Sequence, residues 1–135
     1  MSAAARAPWR ERPRWLRWLG WGLAVAWAGF LFMESSSSTA GSFLSNFPPG
    51  SDKVVHAGAF GMLAALVTLG SGRPLLGVLA ALLYGISDEI HQWFVPERAT
   101  EVLDVVADTV GGLLGAFAVD FLARRRHRNS VGRSV

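Results

Sequence analysis

Four long apolar segments are fitted into 135 residues, with only short polar connections between them. They cover residues 16–33, 52–70, 75–94 and 101–122. Each is close to the roughly 20 residues that a helix needs to cross about 30 Å of hydrocarbon. With 51% hydrophobic and 17% charged residues, the chain is too apolar to stay disordered. The expectation is an all-α integral membrane bundle of four transmembrane helices with short loops. A membrane domain at 15–122 then lies between basic tails at 1–14 and 123–135.

The net charge of +3 would ordinarily suggest nucleic-acid binding. Its distribution argues otherwise. Ten of the thirteen basic residues are arginines at the two ends: Arg6, Arg10, Arg12, Arg14 and Arg17, then Arg124, Arg125, Arg126, Arg128 and Arg133. Basic clusters flanking apolar runs anchor membrane helices against anionic lipid, so no nucleic-acid partner is expected. Trp9, Trp15, Trp18 and Trp21 surround the basic end of the first span, where amphipathic rings prefer the headgroup boundary. A cleaved signal peptide is the competing reading of this segment, but the apolar stretch exceeds the usual length of a signal core. The absence of cysteine excludes a disulfide scaffold, a thiolate zinc site and a cysteine nucleophile.

Residues 34–51 contain Ser35 to Ser38, Gly41, Pro48, Pro49 and Gly50 and read as a loop. Ser71 to Pro74 form a tight link between the second and third spans, and residues 95–100 link the third to the fourth, with Thr100 as a candidate N-cap. The N-terminus, the Arg73 link and the C-terminus hold eleven of the twelve arginines. Enrichment of cytoplasmic loops in Lys and Arg therefore places both termini in the cytoplasm. Lys53 and Arg98 are left on the other side of the cell membrane.

Charged groups in spans are costly and normally face a protein interior or a water-filled cavity. A soluble helical bundle would solvate such groups without that cost. The third and fourth segments carry Asp88, Glu89, His91, Asp104 and Asp108. At 1.5 Å per residue, Asp88 lies about 9 Å and Asp108 about 10 Å inside the outer ends of their helices. Asp88, His91 and Gln92 share a helix face, while Glu89 is turned about 100° away but can pair with Gln92. Glu101, Asp104 and Asp108 form one stripe that continues as Gly111 and Gly115, small residues that permit close helix contact in lipid. On the second span, Asp52, Lys53 and His56 lie within one turn, and Gly61 and Ala65 continue a small-residue ridge. Asp120 sits four residues from Arg124, its expected partner at the inner interface. The outer side thus holds Asp52, Asp88, Glu89, Glu97, Glu101, Asp104 and Asp108 against only Lys53 and Arg98. Some of these acids must be protonated, contact water, or bind a cation.

Three blocks carry a resemblance. Asp52-Lys53-Val54-Val55-His56, the run from Ser87 to Arg98 containing Asp88-Glu89-Ile90-His91-Gln92, and Leu103-Asp104-Val105-Val106-Ala107-Asp108-Thr109-Val110-Gly111 resemble the VanZ-like family of small polytopic membrane proteins. Two positions depart from the family pattern: Glu97 stands where a glycine usually precedes the arginine, and Asp108 where an asparagine is usual. The resemblance implies a cell-envelope role, because the founding member is linked to teicoplanin resistance.

The ligand-binding candidates are Asp52, Lys53, His56, Asp88, Glu89, His91, Gln92, Arg98, Asp104 and Asp108. They admit several functions. One is recognition, without turnover, of a membrane lipid or lipid-linked envelope precursor in an outer-leaflet cleft, with Lys53 and Arg98 engaging an anionic headgroup. Another is an enzyme acting on such a substrate, with Asp88, Glu89, His91 and Asp104 as catalytic candidates and Arg98 stabilising developing charge. A divalent cation fits the carboxylate and histidine chemistry, but there is no HExxH pair or other tight ligand signature, so no cofactor is assigned. A proton- or cation-coupled transport component and a purely helix-tying role are the remaining readings.

Overall fold

The computed structural model describes Trp9 and residues 12–37, 48–96 and 100–131. Four helices account for most of them: α1 (Arg14–Ser35), α2 (Ser51–Ser71), α3 (Pro74–Gln92) and α4 (Val102–Val131). Local sequence sets their limits. Gly50 (φ 88°) precedes α2, and Gly72 (φ 69°) ends it, both in the left-handed region that a side chain disfavours. The Gly72 N–H donates to the Thr68 carbonyl at 2.8 Å, closing the last turn. Pro74 then opens α3 at a position where its missing N–H costs nothing. The expected tight link from Ser71 to Pro74 is therefore built as one helix-stop and helix-start signal.

Both limits of α4 differ from the sequence reading. Helix α4 begins at Val102, so Glu101 rather than Thr100 stands immediately before it. The same helix also runs past the apolar residues into the arginine-rich tail, to Val131. Arginine is a good helix former and is favoured near the negative end of the helix dipole.

Helix α2 packs against all three other helices, most extensively α4. Residue contacts give the directions. Ala57 meets Gly111 and Gly61 meets Gly115, so α2 and α4 run parallel. Tyr84 reaches Ala28 and His91 reaches Ser36, so α1 and α3 run the other way, also parallel to each other. A Cβ on Gly111 would collide with the Ala57 carbonyl, and one on Gly115 with the Gly61 carbonyl. The glycine stripe of α4 thus sets how closely the two backbones approach. Helix α1 is tied in by Trp27 Nε1 donating to the Ala59 carbonyl at 2.8 Å and by Tyr84 OH donating to the Ala28 carbonyl. Gly20 lies against the backbone of Gly70.

The distribution of polarity is the reverse of a water-soluble bundle. Thr68, Asp88, Gln92, Asp104, Asp108 and Asp120 are buried. Val25, Phe32, Met33, Val54, Leu75, Leu83, Leu114 and Phe121 are among many large apolar side chains left exposed. So much contiguous apolar surface requires a hydrocarbon solvent or a partner. Three helices, α1, α2 and α4, are long and apolar enough to cross a membrane. Helix α3 is not among them; its last turns carry Ser87, Asp88, Glu89, His91 and Gln92.

Candidate functional site

The ionisable residues of α2, α3 and α4 converge at one end of the bundle, formed by the start of α2, the end of α3 and the start of α4. The start of α1 and the end of α4 lie at the other end: Trp9 Nε1 donates to Asp120 Oδ1 at 2.9 Å, and Arg124 Nε donates to Asp120 Oδ2 at 2.7 Å. The expected pairing of Asp120 with Arg124 is present there.

Lys53 is the centre of the polar end. Its Nζ lies 2.8 Å from Asp52 Oδ2, 2.6 Å from Glu101 Oε2 and 2.5 Å from Asp104 Oδ1. These three acids each offer an oxygen within 4.8 Å of the others, a spacing suited to a metal ion. The ammonium of Lys53 already supplies that positive charge, so a divalent cation there would compete with it. One turn deeper, His56 Nδ1 lies 3.0 Å from Asp108 Oδ1, and His56 Nε2 lies 3.9 Å from Asp104 Oδ2. With Asp108 ionised, the Nδ1–H donates. The imidazole stacks on Phe60, which fixes the ring plane.

Helix α3 closes the third side. Asp88 Oδ2 accepts from Gln92 Nε2 at 2.9 Å, and Asp88 lies within electrostatic reach of His56. Glu89 Oε2 accepts from the backbone N–H of Glu101 at 2.7 Å, pinning α3 to the residue before α4. Gln92 therefore pairs with Asp88, not with Glu89 as its spacing also allowed. The reason is that Glu89 is drawn to the unpaired N–H of Glu101 at the start of the next helix. Asp108 is fully buried and Gly85 makes room for it, since a Cβ there would lie 2.7 Å from Asp108 Oδ2.

One candidate stands apart. His91 faces α1: its Nε2 shares a 2.9 Å hydrogen bond with Ser36 Oγ, and its ring lies 4.7 Å from that of Phe32. Arg98 and Glu97 lie outside the described residues. Ser36, Phe32 and Gly85 were not singled out from the sequence. Gly85 had a signal, since it lies three residues before Asp88 on the same face of α3, whereas the two α1 residues had none.

Six acids, Asp52, Asp88, Glu89, Glu101, Asp104 and Asp108, thus surround one lysine and one histidine. Asp108 Oδ2 and Glu89 Oε1 are buried without a hydrogen-bond partner among the described residues. The VanZ/LLP1 family model matches residues 20–123. The chain belongs to the VanZ/LLP1 family. The matched region takes in most of α1 and α4 and all of α2 and α3, including every acid of the cluster. No curated protein and no solved structure matches the chain. Family membership and the membrane-compatible helices together make it a VanZ-like membrane protein.

Proposed function

We propose that the chain is a four-span cell-envelope protein with both termini cytoplasmic, whose outer polar cluster recognises the headgroup of a lipid or lipid-linked precursor carrying an amine. The excess of carboxylates carries this reading. Lys53 is already held by three other acids, which leaves Asp88, Glu89 and Asp108 outside its ion pairs, with two open oxygen positions among them. Buried acids facing a bundle interior favour a cationic group. Lys53 then serves to position acids, and an anionic part of the ligand would fall to Arg98. The four-span arrangement is supported by α3 packing against both α2 and α4, and orientation by the arginines at one end. The tie of α1 to α2 and α3 through Trp27 and Tyr84 supports its retention as a span.

The experiment compares Asp88→Asn, His91→Ala, Arg98→Lys and Asp104→Asn at equal membrane abundance, measuring binding and hydrolysis of phosphatidylethanolamine. Recognition predicts binding by the parent without turnover and at least tenfold weaker binding in Asp88→Asn and Asp104→Asn. Equal binding by both variants would contradict it. Family membership adds a cellular expectation, that the protein contributes to teicoplanin tolerance and that Asp104→Asn removes the contribution.

One observation favours a second reading. The His56–Asp108 contact has the form of a base oriented by a carboxylate, so turnover lost in His56→Ala with binding retained would make the chain a membrane enzyme.

A further inference from the structure

The end of the bundle opposite the acid cluster holds a groove of about 740 Å³ that the polar cluster does not explain. Its mouth is formed by Arg12, Arg14, Arg17 and Arg73, drawn from the chain before α1, the first turn of α1 and the α2–α3 link. Among the described residues, none of these four guanidinium groups forms an ion pair with a carboxylate. Asp120, a described acid at this end of the bundle, is already engaged by Arg124 and Trp9. Burial and the neighbouring Arg126 pull the Arg12 pKa below its ordinary value, as expected where cations are crowded together.

The groove has a built frame. Trp9 is fixed by its hydrogen bond to Asp120 and carries Arg12 over its ring, 4.3 Å from the centroid. The backbone turn at Gly72 packs against Trp9, where a Cβ would meet the Trp9 Cβ at 3.0 Å. Below the arginines the lining changes abruptly. Leu75, Leu76 and Leu79, exposed residues along α3, continue the groove toward the apolar middle of the bundle. A cationic mouth above an apolar wall fits a molecule with an anionic head and a hydrocarbon tail. Clustered arginines beside a membrane helix attract anionic headgroups, and arginine forks onto phosphate oxygens.

We propose that this groove is a specific site for an anionic phospholipid, its phosphate held by Arg12, Arg17 and Arg73 and one acyl chain lying along Leu75, Leu76 and Leu79. The site is separate from the acid cluster and does not depend on what that cluster binds.

The test titrates the detergent-solubilised full chain with phosphatidylglycerol or phosphatidylcholine and reads bound lipid by native mass spectrometry. Each basic contact near a membrane surface is worth roughly fivefold in affinity. The proposal predicts at least a tenfold preference for phosphatidylglycerol and at least a tenfold loss of it in Arg17→Gln/Arg73→Gln. Arg128→Gln, at the same end but outside the groove, should stay within twofold of the parent. If the double variant does not fold, Arg12→Gln, outside the helices, should lose roughly fivefold. An equal loss in Arg128→Gln would overturn the site in favour of diffuse charge. Equal binding of the two lipids would overturn it outright, and full competition by 10 mM inorganic phosphate would replace the lipid with free phosphate.

Discussion

His56 and Asp108 lie on parallel helices and meet at 3.0 Å, with Asp108 buried between them. A carboxylate so placed is tolerated because the imidazole and the space beside Gly85 are already there for it. The contact depends on how closely α2 and α4 approach, which the glycines one turn deeper determine.

That dependence can be measured. Gly111→Val should wedge the Ala57 carbonyl away and destabilise the bundle by about 1–3 kcal/mol, the usual cost of overpacking. Gly58→Ala, on α2 but facing open space, should change stability by less than about 0.5 kcal/mol. Steric-trapping or denaturant unfolding in bicelles separates the two.

Asp108 stands where the resemblance drawn from the sequence would put an asparagine. Asp108→Asn keeps an acceptor for His56 and removes a buried charge, so its melting temperature should equal or exceed the parent's. Asp108→Ala leaves His56 Nδ1 unsatisfied and should cost about 1–3 kcal/mol. A thermal scan of both variants shows whether the acid is held against a stability cost.

Lys53→Met leaves Asp104 buried without its cation. Lys53 is partly exposed, so the loss should fall near 2 kcal/mol, between surface and fully buried ion pairs. Adding Asp104→Asn should restore more than half of it, and the double-mutant cycle reads that coupling.

Orientation is open to a direct check, because the chain has no cysteine. Single cysteines at Ser45 and Thr100 should react with an impermeant maleimide on intact cells, and one at Ser71 only after lysis. External reaction at Ser71 would invert the arrangement.

Much of this was legible from spacing. Asp104, Asp108, Gly111 and Gly115 fall on one face because the helix repeats every 3.6 residues, and Ser71-Gly72-Arg73-Pro74 spells a stop and a start. Pairings across helices were not legible. His56 selects Asp108 through the register that Ala57 and Gly111 set, and His91 turns to Ser36 because α1 packs beside α3. Arginine clustering was visible in the sequence. The groove was not, because it requires Trp9 to reach Asp120 across 111 residues.

The most direct test is a structure of the full chain in nanodiscs containing phosphatidylethanolamine. The account predicts a headgroup amine within hydrogen-bond distance of Asp88, Glu89 or Asp108. A cluster closed on its own ion pairs at saturating lipid, with no headgroup between α2, α3 and α4, would contradict it.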